Sequence, residues 1–285
     1  MAEQLVTTGG VQLCLETFGD PEHPALLLVS GLCASMDWWD VGLCERIAAE
    51  GRYVIRYDHR DTGRSEISPV GEPSYTGDDL AIDALRVLDA LGIGRAHLAG
   101  ISAGGGIAQQ LAVRHPERLL SITLIATSAA GARAGTSPLP PPEPRVAATF
   151  DDPGAEPAWD DRAAVVEYLV EGERPFAGAV GFDEERVRAI ARAVVGRSRD
   201  VAAAANHWAA EGSAFEFALA DIRVPTLVLH GTEDPFFPFP HGEALAAEIP
   251  GATLVKLDGM GHQTPPPELW DVVVPAIVQH TADRD

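Results

Sequence analysis

Residues 95–116 read RAHLAGISAGGGIAQQLAVRHP: an apolar run, the five residues Gly100-Ile101-Ser102-Ala103-Gly104, then further glycines and a helical pattern. A dinucleotide fingerprint would need G-x-G-x-x-G, whose central glycine lets the backbone approach a pyrophosphate, and here that position is Ser102. Starting later, Gly104-Gly105-Gly106 does not restore the spacing, and no G-K-[ST] follows to make a phosphate loop. What remains is G-x-S-x-G between a strand and a helix. Its glycines permit a sharp turn that holds the serine strained, with its hydroxyl exposed above the strand end.

A neutral serine hydroxyl is a poor nucleophile, so this turn demands a base and an acid to orient it. The acid is expected after a late strand, and TLVLHGTEDPFFP (226–238) supplies Asp234 on a turn stiffened by two prolines. Glu233 competes as its neighbour, with a side chain pointing elsewhere; the T-E-D-P placement favours Asp234. The base is expected after the next strand, where LDGMGHQTPPP (257–267) sets His262 beside two glycines and ahead of three prolines. His230, His241 and His280 are rivals, but each sits on a strand end or a helix rather than in that loop. Acyl transfer also needs two backbone N–H donors for the developing oxyanion. Ala103, at the amino end of the following helix, is one; Leu32, in the loop after LLLVSG, is expected to be the other.

Around this turn, short apolar runs alternate with helical patterns, as in a parallel sheet connected by helices. VQLCLETFG, ALLLVSG, YVIRYDH, AHLAGIS and LLSITLIAT read as strands, with helices over 79–91 and 107–114. After residue 130 the texture becomes too rich in Pro, Gly and Asp for a sheet interior. Helices are expected at 161–171 with Gly172 after it, following Asp183, and around AANHWAAEG, while prolines 138–144 read as a stiff linker. Strand patterns resume at VPTLVLHGTEDP, then a helix, ATLVKLDGMGH and a final helix from about 268. The division expected is a core of 1–131 plus 221–285 with a helical cap of 132–220.

The 285 residues carry 21 basic and 42 acidic side chains, a net charge of −21, with no basic stripe. That argues against nucleic acid or an anionic membrane surface as partner. Cys14, Cys33 and Cys44 have neither disulfide nor zinc spacing, so free thiols and no metal are expected. The amino terminus lacks a signal-peptide pattern and no apolar stretch is long enough to cross a bilayer, from which a soluble, cytoplasmic protein is expected.

LLLVSG, YDHRDTGRS, GISAG, VPTLVLHGTEDP and GMGH occur in the order of the α/β-hydrolase fold, which the chain resembles from about residue 10 to the end apart from the cap. VIRYDHRDTGRS and IPGATLVKLDGMGH look like the aclacinomycin methylesterase group within it. The resemblance implies a mostly parallel central sheet flanked by helices with an inserted helical cap. It implies Ser102 as nucleophile, Asp234 as acid, His262 as base, Leu32 and Ala103 at the oxyanion hole, and no cofactor. In DHRDTGRS, Asp58, Arg60, Gly63 and Ser65 match the family's D-x-R-G-x-G-x-S loop, with Asp61 where glycine is usual and Arg60 a structural hydrogen-bonding residue. Ser30 stands where many members have histidine, and Ala103 where methionine or another large residue is common, which widens the pocket floor.

The expected reaction is hydrolysis of a carboxylic ester, such as a methyl ester of a polyketide-like or other apolar small molecule. Related triads also serve lactonases, C–C bond hydrolases and cofactor-free peroxidases, and a binding protein could keep the fold without turnover. Trp38, Trp39 and Trp208 are candidates for an apolar acyl pocket, with Phe215 and Phe217 also in the cap; for each, core packing is the alternative.

Overall fold

The computed structural model describes residues 3–135, 137–212 and 215–282. Eight strands form one sheet: β1 (Gln4–Thr8), β2 (Val11–Phe18), β3 (Ala25–Val29), β4 (Tyr53–Tyr57), β5 (Ala96–Ile101), β6 (Leu119–Ile125), β7 (Thr226–Gly231) and β8 (Thr253–Leu257). Their spatial order is β1-β2-β4-β3-β5-β6-β7-β8. Strand β2 runs antiparallel to both its neighbours, and the remaining pairs are parallel. Buried along their whole length, β3, β5 and β7 are predominantly apolar because helices cover both faces.

The period of two sorts each strand between those faces. Leu27 and Val29 join the cluster formed with α2 (Gly77–Ala90), α3 (Ala103–Arg114) and α8 (Pro240–Glu248). Leu26 and Leu28 join the opposite cluster with α1 (Val41–Ala49) and α9 (Trp270–His280). Helix starts follow side-chain capping: Thr76 and Asp79 form a reciprocal box at α2, and Asp40 accepts from Gly42 N–H at 2.8 Å at α1.

Between β6 and β7 lie α4 (Pro144–Asp151), α5 (Arg162–Glu173), α6 (Glu184–Arg197) and the single turn α7 (Asn206–Ala209). Val165, Val166 and Val170 of α5 pack on Val187, Ala191 and Val195 of α6, and Trp38 leans on this small cluster.

Several local expectations change. Helix α3 begins at Ala103 rather than 107, because its glycines are the helix's first turn. Gly172 lies inside α5, which runs on into a 3-10 turn at Arg174–Phe176. The proline linker ends with Pro144 at the first position of α4, where a missing N–H costs nothing. The sequence reading missed β1, α1 and α4 altogether: β1 is an exposed edge strand, while α1 and α4 span only 9 and 8 residues, too few for a clear periodicity.

Candidate active site

Ser102 sits between β5 and α3 with φ 52° and ψ −121°, a left-handed backbone that only its surroundings can hold. Its N–H bonds Ile125 O at 3.0 Å, and its carbonyl accepts from Thr127 Oγ1 at 2.7 Å. Both flanking glycines are sterically obligatory. A Cβ on Gly100 would lie 2.1 Å from Gly104 O, and one on Gly104 would lie 2.3 Å from Val29 O. Gly105 is equally tight, 2.6 Å from the Thr127 side chain, whereas the nearest atom to a Cβ on Gly106 is at 3.7 Å, an ordinary contact. The phosphate-like appearance of the glycine run is thus helix packing as far as Gly105, and nothing in the structure requires Gly106.

The three polar groups expected together are together. His262 Nε2 lies 3.0 Å from Ser102 Oγ, and His262 Nδ1 lies 2.9 Å from Asp234 Oδ2. The other Asp234 oxygen accepts from the N–H groups of Phe236 and Phe237 at 2.9 and 2.8 Å. Burial alone would raise this carboxyl, but the adjacent imidazole and these hydrogen bonds hold it below the ordinary aspartate value. Glu233 turns away, its carboxylate accepting from Ala179 N–H at 2.8 Å. Among the rivals, His230 donates to Phe237 O at 2.7 Å behind the acid loop, His241 bonds Ser128 Oγ and Pro140 O, and His280 bonds Ile122 O.

The glycines of GMGH work by close approach. Gly259 has φ +72°, and a Cβ on Gly261 would fall 2.2 Å from Phe176 O. That carbonyl accepts from His262 N–H at 2.8 Å, so the turn after α5 seats the histidine loop.

The loop after β3 crosses directly over the serine: a Cβ on Gly31 would lie 3.4 Å from Ser102 Cβ and 3.9 Å from its Oγ. Among the described residues, neither Leu32 N–H nor Ala103 N–H has an intramolecular acceptor. Three other polar groups of the loop are pinned. His59 Nε2 donates to Ser30 O at 3.1 Å, Cys33 N–H donates to His207 Nδ1 at 2.8 Å, and Met36 N–H donates to Asp58 Oδ1 at 2.9 Å.

Aromatic side chains surround the histidine, with the rings of Phe236, Phe237 and Phe176 centred 5.0, 5.4 and 5.9 Å from His262. Phe150 stacks on Phe236 at 5.5 Å, and Trp208 meets Phe150 edge-on at 6.0 Å while 62% exposed. These rings touch in series from the exposed Trp208 to His262. Trp38 bridges, its carbonyl accepting from Thr264 Oγ1 at 3.0 Å. Trp39 is instead a core side chain, 1% exposed among α1 and α9, and Phe217 packs under Gly131 in the sheet core. Phe215 stacks on Phe217, with Arg114 over its ring.

Residues the sequence reading overlooked include Phe176, Phe236 and Phe237, of which the last two were legible in the D-P-F-F run beside the acid. Glu173 at the end of α5 is another: burial raises its carboxyl to about 7, against the nearby His262. Arg60 forks onto the fully buried Asp83 at 2.6 and 3.0 Å, a structural tie. Burial pushes all three thiols up to about 12, which disfavours their thiolate forms at neutral pH. Among the described residues there is no cluster of three metal-ligating side chains and no helix long and apolar enough to cross a membrane.

The alpha/beta hydrolase fold family matches residues 24–265, and this chain belongs to it. Rhodomycin D methylesterase DauP of Streptomyces sp. (strain C5) is 35% identical, over 99% of this chain and 98% of its own. Rhodomycin D methylesterase DnrP of Streptomyces peucetius is 33% identical, over 99% and 98%. Among solved structures, the enol-lactonase from Burkholderia xenovorans LB400 superposes with a TM-score of 0.71 at 26% identity, over 98% of this chain and 100% of its own. The similarity to these two rhodomycin D methylesterases therefore extends along nearly the whole chain.

Proposed function

We propose that this chain is a serine hydrolase that cleaves a carboxylic ester of an apolar, ring-bearing small molecule through an acyl-enzyme. The observation that carries the reading is the relay from Asp234 through His262 to Ser102, at 2.9 and 3.0 Å. His262 Nε2 takes the Ser102 proton as Oγ adds to the ester carbonyl, and the carbonyl oxygen gathers negative charge under the Leu32 and Ala103 amides. The imidazolium then gives its proton to the departing alkoxide, leaving acyl-Ser102. A water deprotonated by His262 adds to the acyl carbon, Oγ departs and recovers a proton, and the carboxylic acid leaves. Asp234 keeps Nδ1 protonated, so that Nε2 is free to act as base, and it stabilises the imidazolium.

The names of two full-length relatives support a methyl ester as the scissile group, and the series of rings from Trp208 through Phe150 to Phe236 beside His262 suits an aromatic substrate. In this reading, 132–220 is a cap over the serine, and its aromatic side chains set the substrate's shape. The three free thiols support a cytoplasmic protein.

Incubation with a fluorophosphonate should label the wild type at Ser102 and leave Ser102→Ala unlabelled; an unlabelled wild type would favour a non-catalytic binder. Product analysis on methyl esters, lactones and β-diketones then separates esterase from lactonase and C–C hydrolase: methyl-ester turnover fastest is the expected outcome.

A further inference from the structure

Two of the pins on the loop over Ser102, those on either side of Leu32, are histidines. His59 Nε2–H holds the carbonyl of Ser30, and His207 Nδ1 holds the N–H of Cys33. Between them lies Leu32. The two rings meet edge to face at 5.8 Å, and both are almost fully buried, 2% and 5% exposed.

His59 follows β4, inside the sheet half of the molecule. His207 belongs to α7, from the helical segment, 174 residues along the chain from Cys33. Its second nitrogen, Nε2, lies 2.8 Å from Arg60 O. A carbonyl can only accept and an amide N–H can only donate, so the two contacts together dictate one form of the ring: neutral, proton on Nε2, lone pair on Nδ1. Burial, with His59 beside it, lowers the ring's pKa to about 4, consistent with that form.

Cys33 needs the tie. It has φ +61°, a left-handed conformation costly for a residue with a Cβ, and it directly follows the amide aimed at the oxyanion. A freed Cys33 would relax towards ordinary φ and carry the Leu32 peptide plane with it. Oxyanion donors act only when already aimed at the charge that develops.

Asn206, next to His207, fastens α7 from the other side. Its Nδ2 donates to Asp61 Oδ2 at 2.9 Å, and its Oδ1 accepts from Gly71 N–H at 2.6 Å. Asp61 has φ +62° and stands where the resembling family has glycine. The family's glycine suits the backbone; here the carboxylate is kept despite the strain, and it also accepts from Tyr75 OH at 2.7 Å.

We propose that His207 is a positioning residue for the oxyanion hole: through its Nδ1 it fixes the Cys33 peptide and thereby aims Leu32 N–H, so that α7 must be docked for full turnover. This rests on the serine-hydrolase reading, and the test separates the two. In His207→Asn the side-chain oxygen falls where Nδ1 was and still accepts from Cys33; in His207→Gln the amide reaches the Nε2 position and keeps only the Arg60 contact. Both are polar and of similar size.

On an ester that the wild type hydrolyses, His207→Asn should keep kcat within about 3-fold, while His207→Gln should lose about 10- to 100-fold in kcat with KM within about 3-fold; losing one oxyanion donor outright costs about 100- to 1,000-fold. Asn206→Ala, which loosens α7 but leaves the Cys33 contact, serves as the stability control. The proposal is overturned if the Gln and Asn variants differ by less than about 5-fold, if their order reverses, or if kcat simply follows Tm across all three variants. Independently of any substrate, nitrogen-15 NMR of the wild type at pH 7 should find His207 protonated at Nε2 alone, and a proton on Nδ1 overturns it. Absence of ester, lactone or diketone hydrolysis by the wild type would instead sink the hydrolase reading, and the NMR result would still decide the Cys33 contact.

Discussion

The sheet half and the helices between β6 and β7 hold the same site by different physics. The sheet presents Ser102, Asp234 and His262 on the turns after β5, β7 and β8, and its interior is apolar side chains at or near zero exposure. The helical segment has a small cluster of its own and reaches the sheet half through directional polar contacts as well as through the aromatic contacts of Phe150 and Phe176 with Phe236. Arg197 of α6 forks onto Asp58 at 2.6 Å on both arms and also meets Asp37 at 2.6 Å. Arg186 reaches Asp40 at 3.2 Å, Asn206 reaches Asp61, and His207 reaches Cys33. Burial of apolar area is non-directional and fixes a fold; ion pairs and hydrogen bonds fix one position of one element against another. The serine turn is thus built into the sheet, while the loop above it is also tied from outside the sheet, at His207.

If that division holds, sheet-side substitutions should abolish chemistry and spare stability. Ser102→Ala should lower kcat on an ester by about 10⁶-fold, as in other triads, with an unchanged melting curve. Near wild-type turnover would dismiss Ser102 as the nucleophile. Asp234→Asn, which keeps the shape and favours the wrong imidazole tautomer, should cost about 10⁴-fold in kcat, measured on the same ester.

The helical side should show the reverse pattern. Arg197→Met leaves Asp58 buried without its cationic partner, and breaking such a pair costs about 3–5 kcal/mol. Urea unfolding should register that loss while Ser102 still labels with fluorophosphonate; unchanged stability would mean that the helices dock by apolar contact instead.

The smallest effect is pH-dependent and comes from Glu173, at the seam of the two regions. Its carboxyl is raised to about 7 from an ordinary 4.5, so the folded chain holds that proton more tightly than the unfolded one. The stabilisation is complete below about pH 4.5 and is lost as pH rises through about 7. Glu173→Gln should therefore melt higher than wild type at pH 8, with the gap closing by pH 5; a gap constant with pH would show Glu173 ionised in the folded protein.

Much of this was legible in the residues. G-I-S-A-G between a strand and a helix predicted the turn, and the chemistry of a serine nucleophile led to Asp234 and His262 after later strands. The two carboxylates at 233 and 234 were separable because only one can face the histidine from a stiff turn. Trp39 was less tractable: a tryptophan beside an oxyanion loop has the same sequence signature whether it lines a pocket or fills a core. Phe150 and Trp208 lie 58 positions apart and meet only because α4 and α7 converge.

The chain by itself pointed to the strand-helix alternation, the glycines that let a serine sit at φ 52°, and the three residues of the proposed relay, because each follows from local backbone limits or from what an unactivated hydroxyl needs. Only the tertiary structure brought His59 and His207 to the loop above the serine. His207 and Cys33 are joined across 174 residues by one hydrogen bond, and no periodicity or spacing encodes a contact whose two ends belong to different packing units. Asp61 carries the same lesson: in the sequence it is a departure from glycine, and in the fold its carboxylate reaches α7.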